Sequence, residues 1–304
     1  MIDSAARRRH VTKVVAIVNQ KGGVGKTTTA INLASGLALS ERKSLLLDLD
    51  PQSNSTRGLG YGADPERASI YDVLLGSEPL HGILLPTEIE KLSLAPSEPD
   101  LIGFEVELMG TEKREWRLRD ALIGHDSFDL VLVDCPPSLG LLTVNALVAA
   151  DGVLIPVQCE YLALEGVTQL IETLRRIRSN LNPQLQILGV VLTMFDERTN
   201  LSHQVVDDIR KFFGGTAYDT VIPRSVRLGE APSFGKPIFL YDPRSKGAEA
   251  YMRLAQEFLQ REEPPVQETA IGDREETAGI CEAGDRPASA QETAINEHEE
   301  TSTG

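Results

Sequence analysis

Two lysines, Lys21 and Lys26, bracket three glycines in the run Lys21-Gly-Gly-Val-Gly-Lys-Thr27. Residues of these types at this spacing can hold a polyphosphate. Gly22, Gly23 and Gly25 let successive backbone N–H groups turn toward one anion, and a helix starting near Lys26 adds the positive end of its dipole. Lys26 is then placed to reach the β- and γ-phosphates of ATP, and the Thr27 hydroxyl to ligate Mg²⁺. The ordinary phosphate-loop pattern GxxxxGK[ST] would need glycine at position 20, where Gln20 stands. The loop is therefore a deviant form of that pattern with its remaining logic intact. A Gly-rich turn without a ligand would not explain the Lys-Thr pair placed between a strand and a helix.

That strand and helix are legible on either side. Lys13–Val18 is a short β-branched run, and Thr27–Leu39 carries Ile31, Leu33, Ala34, Leu37 and Ala38 near helical spacing. Ser44–Leu49, Phe128–Val133, Gly152–Val157 and Ile187–Thr193 read as further apolar strands, with helical stretches at Leu139–Ala150, Leu164–Asn180 and Ala248–Leu259. Continuous apolar strands alternating with helices predict an α/β fold, a doubly wound, mostly parallel sheet flanked by helices. Ligands of such sheets bind beyond the carboxyl ends of the strands. The polar clusters Gln20–Thr27, Asp48–Gln52, Asp134–Ser138 and Asp196–Asn200 fall at those ends. Asp48, Asp50 and Asp134 are thus expected close to the phosphate loop, although each could serve only as a local cap.

Charge divides the chain. The 304 residues carry a net −15, of which 262–304 supply −10, from twelve acidic residues and two arginines. Between Arg198 and Arg261 the balance reverses, with ten Lys or Arg against seven Asp or Glu. An acidic protein can still offer a local basic face to an anionic polymer. Composition predicts a basic N-terminal arm at 1–12 with Arg7, Arg8 and Arg9, one large domain at 13–261 that carries the phosphate loop, and a disordered acidic tail at 262–304. Within the tail Gln267–Glu276 recurs imperfectly as Gln291–Glu300. Three scattered cysteines, Cys135, Cys159 and Cys281, argue against a disulfide framework and for a reducing, cytoplasmic setting. No apolar run is long enough to span a bilayer, and the five histidines lack zinc-site spacing.

The phrases KGGVGKTT, LLLDLDPQ and LVLVDCPPS together resemble the ParA/Soj group of deviant Walker A ATPases, relatives of MinD. The likeness runs on through TMFDERTNL, VIPRSVRLGEAPSFGKP and YDPRSKGAEAY, and so covers residues 11–261. The resemblance implies ATP and Mg²⁺ as ligands and nucleotide contacts from Lys21, Gly22, Gly23, Val24, Gly25, Lys26, Thr27, Thr28 and Pro223. Lys21 matches the signature lysine that crosses to the nucleotide of a second subunit, and Gly22 a point where two subunits meet closely. Asp50 matches the carboxylate that positions the attacking water, Asp134 the Walker B carboxylate on Mg²⁺, and Asp48 a supporting neighbour. Arg198, Arg227 and Arg261 fall where the family places residues that bind DNA without sequence preference.

The implied protein is a chromosome- or plasmid-partitioning ATPase, cytoplasmic and associated with the nucleoid. It would form a homodimer when ATP-bound, bind double-stranded DNA, and hydrolyse slowly until stimulated by a ParB/Spo0J-like protein. The residues before the loop are too few for a helix-turn-helix, so operator-specific binding is not expected. The alternative is a MinD-like or other cargo-positioning ATPase. A MinD-like factor would need a basic amphipathic C-terminal helix, which the acidic tail does not supply. An iron–sulfur carrier would need paired cysteine ligands, which Cys135 and Cys159 do not show.

Overall fold

The computed structural model describes residues 12–161 and 163–262. Arg7–Arg9, Cys281 and all of the expected acidic tail after Glu262 lie outside the described residues. Eight strands form one sheet: β1 Lys13–Ile17, β2 Ser44–Asp48, β3 Leu85–Pro86, β4 Leu92–Ala95, β5 Leu130–Asp134, β6 Gly152–Gln158, β7 Gln186–Phe195 and β8 Ala217–Pro223. Their order is β3-β4-β2-β5-β1-β6-β7-β8. Every pairing is parallel except β3 with β4 at one edge.

Successive side chains of the inner strands enter different cores. Leu45, Leu47 and Leu49 join one apolar cluster with Val14, Ala16 and Val18, whereas Leu46 joins the other with Val15 and Ile17. Alternation sends neighbours to opposite faces, and helices cover both, so both must be apolar. The second face packs under the helices Lys26–Leu39 and Lys246–Glu262, where Leu33, Leu37, Leu254 and Phe258 are fully buried. The first face lies under Ile70–Leu75, Leu141–Ala149, Ala163–Asn180 and Asn200–Phe213. Burying one such leucine contributes roughly 1.5–3 kcal/mol.

The five strands expected from apolar runs are present, with ends shifted by a residue or more. β3, β4 and β8 are additional. β4 is only Leu-Ser-Leu-Ala, and β8 carries Tyr218, Asp219 and Thr220 on the outer edge, so neither forms the unbroken apolar run that marks an inner strand. β1 sits where the order reverses, with β5 on one side and β6 on the other. The crevice of such a sheet opens beyond the carboxyl end of that strand. Register sets Asp134 beside both Ile17 and Asp48, so β1, β2 and β5 finish level there.

Candidate nucleotide site

Beyond β1 the chain turns through Gly23 (φ 74°) and Gly25 (φ 89°) into the helix at Lys26. Both angles are left-handed, where a Cβ is strained. Gly25 stands at the N-cap without a side-chain hydrogen bond, and the first turn holds no acidic residue. The first helical N–H groups are therefore left for an anion. Thr193 at the end of β7 fixes the loop from beside, its hydroxyl donating to the Val24 carbonyl at 2.8 Å. Asn19 holds it from below, accepting from the Lys21 N–H at 3.0 Å and donating to the Pro156 carbonyl at 2.8 Å.

One cavity of about 400 Å³ is lined by Gly22, Gly23, Gly25, Lys26, Thr27, Thr28, Asp50, Gln52, Asn54, Pro137 and Met194. A second, of about 230 Å³, continues from Gly25 and Thr28 past Met194 to Pro223, Arg224 and Tyr251. The structure thus gathers most of the expected loop residues with Asp50, and brings Pro223 to the adjoining wall. Val24 instead turns its side chain into the protein, where it is buried. A Cβ at Gly22 would meet nothing within 4 Å, so this chain alone gives no steric reason for glycine there.

The two loop lysines face different groups. Lys26 is buried and donates to the Lys21 carbonyl at 3.0 Å. Burial pulls its pKa below the usual lysine value, while Asp134 and Asp50 oppose that shift. The Lys21 ammonium leaves the cavity and pairs with Glu160.

Three carboxylates gather at the ends of β2 and β5, of which Asp50 lines the cavity while Asp48 and Asp134 are fully buried. Asp48 accepts from the Thr56 N–H and hydroxyl, both at 2.8 Å, and from the Asp50 N–H at 3.2 Å. Burial, and then neighbouring Asp134, push its pKa up to about 8. Asp134 is raised to about 6, chiefly by burial, with Ser55, Thr27 and Lys26 acting the other way. Its Oδ2 accepts from the Ser55 hydroxyl at 2.7 Å. Its Oδ1 is buried without a partner. A buried, unpartnered carboxylate oxygen next to the Thr27 hydroxyl is the oxygen-donor set that suits a hard divalent cation. Asp50 accepts from the Gln52 N–H at 2.9 Å, and its carbonyl receives the Ser97 hydroxyl at 2.8 Å.

The three arginines have separate surroundings. Arg198 is 80% exposed and pairs with Asp196 at 2.7 Å, while Arg227 pairs with Glu230 at 3.1 Å and Asp242 at 3.5 Å. Arg198 shares an open cavity of about 380 Å³ with Arg224 and Lys246, neither of which sequence reasoning singled out. Arg261 differs: it is 27% exposed and donates to the Ala217 carbonyl at 2.8 Å and to Glu257 at 2.7 Å. Its guanidinium stacks 4.0 Å over the Tyr218 ring. Its donors tie the last helix to β8, so less of its guanidinium is free for a phosphate than in Arg198 or Arg227.

Sequence reasoning also passed over Asn19, Ser55, Thr56, Thr193 and Glu160. Each lies at or just beyond a strand end, but only the fold shows which group each one meets.

A family model described as an AAA domain matches residues 12–187. Chromosome partitioning protein ParA of Myxococcus xanthus is 53% identical over 255 residues, covering 84% of this chain and 90% of that protein. Chromosome-partitioning ATPase Soj of Thermus thermophilus is also 53% identical, covering 81% of this chain and 95% of its own length. Among solved structures, a Mycobacterium smegmatis protein described as cobyrinic acid a,c-diamide synthase, with bound ATP analogue and magnesium, superposes with a TM-score of 0.73. It is 39% identical, over 82% of this chain and 95% of that one.

Proposed function

This chain belongs to the ParA/Soj family of chromosome-partitioning proteins, and we propose on that premise that it is a partitioning ATPase. The observation that carries the reading is the single cavity in which Gly25, Lys26, Thr27 and Asp50 meet. The amide-synthase description of the Mycobacterium structure belongs to a relative of lower identity, so the reading follows the partitioning relatives.

The reaction is phosphoryl transfer from ATP to water, in which the protein positions groups and stabilises charge. The open helix start and Lys26 bind the β- and γ-phosphates, and the cavity running to Pro223 takes the rest of the nucleotide. The Thr27 hydroxyl and Asp134 Oδ1 would hold Mg²⁺, which supplies charge neutralisation on the phosphate oxygens when bound. Asp50 orients the attacking water. Asp48, fixed by Thr56, keeps Asp50 in place through the Asp50 N–H.

Lys21 acts on the nucleotide of a second copy of the chain, as the resemblance implies, and must leave Glu160 to do so. Gly22 then serves the close approach of that copy. The ATP-bound dimer binds duplex DNA through Arg198 and Arg227, without reading sequence. A ParB-like partner stimulates hydrolysis and so releases the dimer, and the protein works in the cytoplasm on the nucleoid. Among the described residues no helix is long and apolar enough to cross a membrane.

Sedimentation and DNA binding with and without MgATP test this. The expected result is a monomer without nucleotide and a DNA-binding dimer with it. A wild-type protein that binds duplex DNA equally well in both states would overturn the reading.

A further inference from the structure

The segment after Asp50 stands between the nucleotide cavity and the surface that carries Arg227. Gln52 and Asn54 line the cavity. Ser53, between them, is the N-cap of the short helix Asn54–Gly58 and holds a left-handed backbone, φ 53°, which strains a residue with a Cβ. Its hydroxyl is buried with no hydrogen-bond partner among the described residues. Strain and an unsatisfied polar group meet at one residue, as in a segment held in one of two arrangements.

The short helix is pinned at its middle. The Ser55 hydroxyl donates to Asp134 Oδ2 at 2.7 Å, and the Thr56 N–H and hydroxyl donate to Asp48, both at 2.8 Å. Movement of Gln52 and Asn54 at the cavity therefore turns the helix about Ser55 and Thr56. The turn is returned at its far end, residues 58–60.

That far end meets the support of Arg227 backbone to backbone. Gly60 (φ 92°) and Gly235 (φ 64°) both take left-handed angles. A Cβ on Gly235 would stand 2.6 Å from Gly60 Cα, and one on Gly60 would stand 3.3 Å from the Gly235 carbonyl oxygen. No side chain lies between the two to absorb a displacement. Gly235 closes the turn Ala231–Phe234, its N–H donating to the Pro232 carbonyl at 3.0 Å. The turn continues the helix Val226–Glu230 without a break, since Glu230 and Ala231 both keep right-handed helical angles. Arg227 is the second residue of that helix.

We propose that residues 53–60 form a lever that carries occupancy of the nucleotide cavity to Arg227 through the contact of Gly60 with Gly235. Ser53 is the hinge. Ligand against Gln52 and Asn54 releases its left-handed angle, the helix turns on Asp134 and Asp48, and Gly60 displaces Gly235 with the helix behind it. Arg227 then exchanges Glu230 and Asp242 for a DNA phosphate. Arg198 stands on another connection, between β7 and the helix Asn200–Phe213, and lies outside this route. The inference rests on the partitioning reading for the DNA and deepens it, naming how the cavity reaches one of the two exposed arginines.

The test uses the full chain and MgATP, read first by amide hydrogen exchange without DNA. Exchange in residues 226–235 should change when MgATP binds, and should respond less in Gly235→Ala although that variant still binds nucleotide. With duplex DNA present, the gain in affinity that MgATP confers should be at least about fivefold smaller in Gly235→Ala than in the wild type. Combined with Arg227→Ala this loss should not add, whereas combined with Arg198→Ala it should. Ser53→Gly relieves the angle and removes the buried hydroxyl, so it favours the arrangement seen here. MgATP should bind it more weakly and raise its DNA affinity less. If Gly235→Ala fails to fold, the wild-type exchange and Ser53→Gly decide between them. Wild-type exchange in 226–235 that ignores MgATP overturns the proposal. So does an undiminished MgATP gain in folded Gly235→Ala, or a loss that adds fully to that of Arg227→Ala. A wild type whose DNA affinity MgATP leaves unmoved defeats the partitioning reading instead, and the exchange of 226–235 still decides the lever.

Discussion

The Lys26 ammonium donates to the backbone carbonyl of Lys21, 3.0 Å away, while the Lys21 ammonium itself pairs with Glu160. One loop thus holds two cations of different kinds. The inner one is buried and fixed by a backbone carbonyl. The outer one is held by a partly exposed ion pair of the sort worth about 0–1 kcal/mol, which leaves it easy to redirect.

The two lysines should therefore separate binding from turnover. Lys26→Ala removes a charge-assisted hydrogen bond to phosphate worth about 1.5–3 kcal/mol, so MgATP should bind roughly tenfold to a hundredfold more weakly. Lys21→Ala should bind MgATP like the wild type but fail to reach the stimulated rate. Asp50→Ala should bind ATP and accumulate as a dimer. Fluorescent-nucleotide titration and sedimentation distinguish these outcomes, and a monomeric Asp50→Ala protein in saturating MgATP would contradict the sandwich mechanism.

The arginines should divide in the same way. Arg198→Glu or Arg227→Glu should abolish MgATP-dependent binding to any duplex sequence while leaving the dimer intact. Milder changes to Ala should lower the salt slope of binding by about one for each phosphate that is no longer neutralised. Arg261→Ala should instead lower stability, by about 1–2 kcal/mol, as its stacking on Tyr218 and its hydrogen bonds to carbonyls disappear. DNA titrations over a salt series, together with thermal unfolding, separate the two behaviours. Loss of DNA binding by a stably folded Arg261→Ala protein would assign Arg261 to the DNA contact instead.

Asp48 should make the nucleotide-free protein sensitive to alkali. Its pKa stands at about 8 in the folded state, against an ordinary aspartate value of 3.8. The folded protein therefore holds this proton more tightly than the unfolded chain does. The resulting stabilisation is complete below pH ~4 and is lost as pH rises through about 8. The unfolding midpoint should fall between about pH 5.5 and about pH 8.5, and Asp48→Asn, which cannot ionise, should show a smaller fall. Equal slopes for the two proteins would remove Asp48 as the cause.

The acidic residues from Glu262 onward give a prediction that rests on sequence alone. Their net −10 follows Arg261 in the sequence. Such a tethered polyanion should compete with DNA for the basic face. Removing residues 262–304 should tighten DNA binding at low salt, by an amount that shrinks as salt rises, with ATP affinity unchanged. Identical DNA affinity at low ionic strength would rule the competition out.

The sequence determined the fold class and the family by itself. Inner strands such as Ser44–Asp48 are covered on both faces, so each is an unbroken apolar run that can be read without knowing its neighbours. The phosphate loop is equally local: Gly23, Gly25, Lys26 and Thr27 act through a few consecutive backbone groups, and their spacing alone specifies the geometry. The edge strand β8 was not legible, because Asp219 and Thr220 interrupt its apolar residues and leave no continuous pattern. Nor was the relation among carboxylates. Asp48 and Asp134 lie 86 positions apart, and only parallel registration of β2 with β5 sets them side by side, buried together at the strand ends. The same holds for Lys21 with Glu160 and for Arg261 over Tyr218. A long side chain can reach several partners, and packing across distant segments decides which one it meets.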